Sequence, residues 1–481
     1  MTDMDLPSAV AGRDRREGIL ARMALRFTDW SERWIPDAFI FALIATVIAF
    51  LAGLWVARPI ELVDAWGKGV WELLKFTMQM ALILVTGYVV ASSRPVYRLI
   101  VWLAGRATTP RGAVTMVAVF AMASSWLNWG FSLIFSALLA KEVARRVEGA
   151  DYRALGAASL LGLGSIWAQG LSGSAALQMA TPGALQPRIR EIIAHGDLVP
   201  GGMIGFGDTI FLWQSLASVA IEVVVVAAIA WLYTPSAKAA VTHRGMGIDL
   251  GPPIDETPDV PRSGKPGEWF EHSPLLTLAI VALGGAYVVH AFMQPGAGIT
   301  SITLDIVILV LLLLGALLHW TPARLMRAVR DATPATWGVI LQYPFYAGIA
   351  GIITYTHLSE RIAHFFVGIS TRGTFPPIIA LYSAALGIFV PSGGSKWVIE
   401  APYVMQAAHE LRVHLGWMVA VYDLGEAVAN LVQPFWMLPT LALMGLKARD
   451  VMGYTFVVFL VLLPLVLIQV YAFGLTLGYP L

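Results

Sequence analysis

The sequence predicts an all-α polytopic membrane protein made of two inverted repeats, each with a re-entrant hairpin and an interrupted helix. Three observations lead there. The 481-residue chain is 57% hydrophobic and 13% charged, with a mean hydropathy of +0.71, more apolar than a soluble core requires. Apolar segments of about 20 residues, the length that crosses a hydrocarbon core, recur along most of it. In each half, two of these segments are broken midway by Gly and polar residues, a mark of transporters assembled from repeats.

Residues 1–36 are expected to form a cytoplasmic amphipathic segment. Ile19, Leu20, Met23, Phe27, Trp30 and Trp34 recur there at three-to-four spacing among Arg22, Arg26 and Arg33, as in a helix lying on a membrane surface. A frayed tail is the alternative. The first apolar run, 37–57, is longer than a signal-peptide core and lacks a cleavage site, so it reads as an uncleaved span. Further segments fall at roughly 73–92, 113–140, 154–182, 208–233, 274–294, 299–319, 337–356, 376–408, 417–445 and 450–476. Between them, 234–272 is polar and carries Pro252, Pro253, Pro258, Pro261 and Pro266, a composition that predicts a flexible linker. The chain thereby divides into a first repeat (37–233), a linker with a connecting helix (234–298) and a second, inverted repeat (299–481).

The halves align by order and spacing. Gln79 lies 263 positions before Gln342 and Gln169 lies 264 before Gln433, with SSWLNWGFS (124–132) opposite GIFVPSGGS (387–395). Positive charge decides how the broken segments lie. With all eleven segments crossing, Lys and Arg divide about 16 to 15, which gives no cytoplasmic bias. If 113–140 and 376–408 are instead hairpins returning to their starting side, the division becomes about 23 inside to 8 outside, with Lys396 inside a hairpin. That predicts nine full crossings, a cytoplasmic N-terminus in a bacterial inner membrane, and one hairpin opening from each face.

The chemistry is expected at the breaks. These are Asn128, Trp129, Gly130 and Phe131; Gly170, Leu171, Ser172, Gly173 and Ser174; Pro391, Ser392, Gly393, Gly394, Ser395 and Lys396; and Asn430 with Gln433, Pro434, Phe435 and Trp436. Unpaired backbone in lipid costs several kcal/mol per group, so such stretches line protein or a water-filled cavity. A helix start there suits an anion, and unwound carbonyls with Asn128 or Asn430 suit a small cation. The plain alternative is that small residues only let helices pack closely. The candidate binding residues are Asn128, Trp129, Gly130, Ser172, Gly173, Ser174, Ser392, Gly393, Gly394, Ser395, Lys396, Asn430 and Gln433, with Trp129, Phe131 and Phe435 receiving an apolar tail. Lys396 either holds a carboxylate or pairs with Glu400 one turn on. Glu222 is read first as an oligomer contact or a partner of a polar group, and second as a proton relay. Asp305, Asp423 and Glu426 lie nearer segment ends, where solvation is the default.

Other function classes find little support. Thirty-two basic against 31 acidic residues offer no face for nucleic acid, and without cysteine no disulfide or thiolate metal site forms. HExxH, GxSxG and Walker sequences are absent and the nine His are scattered, so no enzyme, metal site or cofactor is expected. Secondary transport remains, with a proton or sodium ion as the coupling ion. Moving hairpins need a fixed frame, so a homo-oligomer, with a dimer favoured, is expected.

Six stretches carry a resemblance: TMQMALILVTGYVVASS (77–93), NWGFSLIFSALLAKEVARR (128–146), LSGSAALQMATPG (171–183), QYPFYAGI (342–349), VPSGGSKWVIEAP (390–402) and NLVQPFWMLP (430–439). From about residue 34 to its end, the chain resembles bacterial short-chain fatty acid transporters of the type associated with acetoacetate and butyrate degradation. The resemblance implies uptake of such acids and membership of a wider ion-transporter group with paired hairpins and elevator-like movement. Lys396 stands where the family usually has histidine, Gln169 where glycine is common, and Glu400 where a neutral residue is usual. These departures point toward a carboxylate with more negative charge or an added keto or hydroxy group. Another organic anion, such as a dicarboxylate, is therefore the alternative substrate, ahead of a channel or a membrane-bound enzyme.

Overall fold

The computed structural model describes residues 18–34, 38–72, 74–180, 199, 202–251, 264–294, 304–356, 358, 361, 365, 368–389 and 393–481. These residues form helices and turns and no strand, as a chain in lipid must when each helix satisfies its own backbone. The first half runs α1 (Ile19–Trp34), α2 (Ala38–Gly53), α3 (Pro59–Glu72), α4 (Leu74–Ala91), α5 (Arg94–Ala104), α6 (Pro110–Leu127), α7 (Trp129–Arg146), α8 (Tyr152–Leu160), α9 (Ser174–Met179) and α10 (Trp213–Tyr233). The second runs α11 (Glu268–His272), α12 (Leu275–Phe292), α13 (Leu304–His319), α14 (Pro322–Ala332), α15 (Trp337–Tyr355), α16 (Phe375–Gly387), α17 (Gly393–Glu410), α18 (Leu415–Ala429), α19 (Met437–Met444) and α20 (Ala448–Gly474). Among the described residues, α10, α12 and α20 are each long and apolar enough to cross a membrane unbroken.

The broken segments double back where the sequence supplies a cap. Pro110 opens α6, and Asn128 ends it with an extended backbone while its side chain accepts from Phe131 N–H to start α7. Ser132 Oγ then donates to Ala121 O at 2.8 Å, although eleven residues of straight helix would separate them by about 16 Å. In the second half, Lys396 Nζ donates to Ser383 O at 3.1 Å and Tyr382 OH to Glu400, so α16 and α17 also lie side by side.

The next helix in each half is the innermost. Every residue of α8 and of α18 is buried, including Arg153 on the first and Asp423 and Glu426 on the second, so both helices are packed on all sides. Each half also brings a glycine against a hairpin arm. A Cβ on Gly162 would lie 2.1 Å from Ala121 O and 2.7 Å from Ser125 Cβ, and one on Gly425 would lie 2.2 Å from Ala380 O and 2.9 Å from Ser383 Cβ. These glycines are 263 positions apart, the separation of Gln79 and Gln342. Close packing through small residues is thus built twice in the same place.

Three expectations change. Residues 58–72, left between the apolar segments 37–57 and 73–92, contain α3, which meets α15 backbone to backbone: a Cβ on Gly69 would sit 2.5 Å from Ala347 O, and one on Gly351 2.4 Å from Ala65 O. The N-terminal helix forms as expected, yet it buries Ala21, Ala24 and Thr28 against α20, where Gly453 leaves room for the Thr28 backbone, while Ile19, Trp30 and Trp34 stay exposed. The start of the linker, 234–251, is fastened down. Arg145 donates to the carbonyls of Leu250 and Gly251, each at 2.6 Å, and Tyr152 N–H donates to Val241 O at 2.9 Å. The prolines that suggested flexibility begin at Pro252, outside the described residues.

Candidate functional site

The second hairpin closes on the break of the first half. Gly393 and Gly394 begin α17, and Gln178 Nε2 on α9 donates to Gly394 O at 3.0 Å. A Cβ on Gly394 would lie 3.7 Å from Ser174 Cβ, and one on Gly393 would lie 3.3 Å from both Trp167 Cη2 and Asp423 Oδ1. Glycine at these positions lets a helix start press against charged side chains. Pro391 and Ser392 lie outside the described residues, as does the side chain of Ser395.

Beneath this tip sits a cluster of charge in the middle of the protein. Lys396 is 2% exposed, Glu400 1%, and Asp423 and Glu426 0%. Lys396 forms an ion pair with Glu426 and has the Tyr422 ring 5.5 Å away. Glu400 instead accepts from two phenols, Tyr382 OH and Tyr422 OH, the latter at 2.6 Å. Asp423 accepts from the N–H groups of Ala175, at 2.8 Å, and Ser174, so a carboxylate of the protein fills the start of α9. Asp423 Oδ1 and Glu426 Oε1 receive no hydrogen bond from the described residues. The pairing of Lys396 with Glu400 is therefore corrected to a pairing with Glu426, and the solvated reading of Asp423 and Glu426 is corrected to burial. Asp305 does lie at the surface, bridged to Lys75 at 2.8 Å.

The first tip differs. Asn128 Oδ1 caps α7 at 2.9 Å from Phe131 N, and Trp129 N–H donates to Ser172 Oγ at 3.1 Å. Gly170 lets Leu171 N–H reach Trp126 O at 2.8 Å, since a Cβ there would strike that carbonyl at 2.2 Å. Gly130 faces Ile83, and Gly173 rests on Ala168 O. Asn430 Nδ2 donates to Leu163 O at 3.2 Å, and Gln433 bridges Asn430 Oδ1 and Phe435 N–H at 2.9 and 2.8 Å. These amides tie the two breaks to each other.

The aromatics expected to receive a tail are largely packed together. Phe435 stacks on Tyr343 at 3.9 Å, Phe131 on Phe135 at 4.0 Å, and Trp129 meets Trp436 edge-on at 5.1 Å. Glu222 is fully buried on α10 and accepts from Gln169 Nε2 at 3.0 Å and Ser218 Oγ at 2.9 Å, the polar pairing that its sequence position suggested. A cavity of about 500 Å³ lies apart from the cluster, between α1 and α20, lined by Arg26, Phe27, Trp30, Met452 and Phe456, with Arg26 already engaged within the protein.

Of the sequence candidates, the fold joins Ser174, Gly393, Gly394 and Lys396 in one place, and Asn128, Trp129 and Ser172 in another. Sequence reasoning missed Gln178, Tyr382 and Tyr422, and gave Asp423 and Glu426 no role. The signal for the last two was an i, i+3 pair of acids inside an apolar segment, which belongs on one helix face and is costly in lipid without a partner.

Residues 19–473 match the family model described as short chain fatty acid transporter. An Escherichia coli K12 protein provisionally named a short-chain fatty acid transporter is 39% identical over 441 residues, covering 91% of this chain and 96% of that one. A Haemophilus influenzae Rd protein with the same provisional name is 34% identical over 455 residues, covering 94% and 100%. Among solved structures, the Alcanivorax borkumensis YdaH transporter, described as having an unusual topology, aligns at TM-score 0.46 with 16% identity over 92% of this chain and all of that one. Neisseria gonorrhoeae MtrF, described within a class of antimetabolite efflux pumps, aligns at TM-score 0.38 with 16% identity over 95% and 98%. The length and identity of the family match settle one point: this membrane protein belongs to the short-chain fatty acid transporter family.

Proposed function

We propose that the chain is a secondary transporter of short-chain monocarboxylates in a bacterial cytoplasmic membrane, driven by a proton or sodium gradient. The observation that carries this reading is the seating of the Gly393–Gly394 helix start over a buried ammonium, Lys396, beside Ser174 and Gln178. A helix start with free N–H groups and a nearby cation suits one carboxylate. Ser392, Gly393, Gly394, Ser395 and Lys396 hold the anion, facing Ser172, Gly173 and Ser174. Asn128, Trp129 and Gly130 with Asn430 and Gln433 close the far side as the two breaks move. A keto or hydroxy acid is the alternative substrate, favoured by the extra polar groups that Lys396 and Glu400 bring to the site.

The membrane arrangement proposed with it has a cytoplasmic N-terminus, two re-entrant hairpins in inverted repeats (37–233 and 299–481) and a homodimer whose frame is built of plain spans. An elevator-like movement carries the hairpin-bearing segments. Uptake of labelled butyrate and acetoacetate into proteoliposomes, with sodium and proton gradients imposed separately, tests the function. Accumulation of neither acid under either gradient rejects it. The natural lack of cysteine makes an introduced thiol a unique topology reporter. Cysteine at Glu148 reacts from the cytoplasmic side and cysteine at Glu410 from outside, and the reverse pattern rejects the arrangement.

A further inference from the structure

We propose that Glu426 carries the coupling proton, and that its protonation transfers Lys396 from Glu426 to the substrate carboxylate. The inference rests on the carboxylate-transport reading above and adds the ion, the residue and the reason the two cargoes travel together.

The groups facing one another here are Lys396 and Glu400 from α17, Tyr422, Asp423 and Glu426 from α18, and Tyr382 from α16, while α9 and the turn before it contribute Trp167, Ser174 and Gln178, which do not titrate. Three buried carboxyl groups thus share one ammonium. Their other partners separate them. Glu400 has two phenol donors and Asp423 has two backbone N–H donors, so each is held by neutral groups. Among the described residues Glu426 has Lys396 as its one partner, and its second oxygen has no donor. It is the carboxyl whose charge depends on Lys396, and on whose charge Lys396 depends.

A buried ion pair is costly to break by removing one member, because the other is left uncompensated. A proton and a carboxylate arriving together avoid that penalty. The proton adds to a Glu426 carboxylate oxygen and neutralises it. Lys396 keeps its three protons and pairs with the incoming carboxylate. The charge summed over Lys396, Glu426 and the bound cargo is zero before and after, and the groups around them are unchanged. With the proton alone the site is one charge too positive, and with the carboxylate alone one too negative, so neither half-loaded form crosses readily. Release on the other side reverses both steps: the anion leaves, Glu426 loses its proton to water and reclaims Lys396. The outcome is electroneutral co-transport of one proton with one carboxylate.

Calorimetry of butyrate binding to the full chain in lipid nanodiscs, in two buffers of different ionisation enthalpy, counts the protons taken up. Wild type takes up about one proton per butyrate, and its affinity falls by about tenfold per pH unit above the point where Glu426 ionises. Glu426→Gln, which mimics the protonated acid, takes up about none and has an affinity that no longer changes across roughly pH 6 to 8. Butyrate binding by wild type with no proton uptake overturns this inference and leaves the carboxylate reading intact. Unchanged proton uptake in Glu426→Gln overturns it as well. Failure of wild type to bind any short carboxylate overturns the transport reading itself, and the wild-type count stands whether or not the variant folds.

Discussion

At the first hairpin tip every polar group named is answered by a neutral one: Asn128 by Phe131 N–H, Ser172 by Trp129 N–H, Ser132 by Ala121 O. At the second tip, Gly393 presses against Asp423 and Glu426 and Gly394 against Gln178 and Ser174, and a buried lysine is shared between a carboxylate and a carbonyl. Both tips use small residues and a helix start, yet only one holds charge. A neutral, satisfied turn has one stable arrangement and keeps its shape wherever its segment is carried. A charged turn has as many arrangements as there are ways of distributing protons and counter-ions, which is what a moving, cargo-dependent gate requires. In the transport reading proposed above, the two tips of this chain would divide the work between shape and charge.

The sharpest way to break this comparison is to remove charge from the second tip. Lys396→Met leaves Glu426 buried without its partner, at an expected cost of about 3 to 5 kcal/mol of stability, and abolishes carboxylate binding. Adding Glu426→Gln restores most of the stability and none of the binding, whereas adding Glu400→Gln restores little of either, because Glu400 is held by Tyr382 and Tyr422. Thermal unfolding in nanodiscs together with calorimetry reads both quantities. Rescue by Glu400→Gln instead would place the ion pair one helical turn away. Next in size is Gly393→Val. Its Cβ alone meets Trp167 and Asp423 at 3.3 Å, and the branched methyls crowd the turn further, so butyrate affinity drops by at least about tenfold. Unchanged affinity would remove the second tip from the site.

The same contrast explains what could be read from the chain and what could not. Apolar runs and their breaks gave the helices, because lipid demands length and self-satisfied backbone wherever a chain crosses it. The turn at Asn128 was visible for the same reason, an amide beside small residues in an apolar run. Glu426 was not. The run 417–445 reads as one span with its acids near an end, but the break after Ala429 makes α18 a short inner helix buried throughout, with Asp423 and Glu426 inside it. The partner of Lys396 lies thirty positions on, in another helix, whereas Glu400 lies one turn away. Sequence spacing ranks the local pair first, and only the packing of α16 against α18 turns Glu400 toward two tyrosines. Helix α3 escaped because Glu61, Asp64, Lys68 and Glu72 keep it out of the apolar runs, while Gly69 is spent on contact with α15.

The smallest expected effect belongs to the first tip, and it tests the other half of the comparison. Asn128→Ala removes the cap from Phe131 N–H and leaves the start of α7 short of one acceptor. Loss of such a cap costs about 1 kcal/mol. Trp129 N–H keeps Ser172 Oγ, and Ser132 keeps Ala121 O, so the turn persists. Because no charge of the cluster touches Asn128 among the described residues, proton uptake should stay at about one per butyrate, while affinity falls only by about threefold as the far wall of the cavity loosens, since sites without shared partners act nearly independently. Unfolding by heat and calorimetry on the same nanodisc preparation measure the two effects side by side. A loss of affinity as large as that of Gly393→Val, with stability hardly changed, would show that the first tip also binds the anion, and the division of shape from charge between the two hairpins would fall.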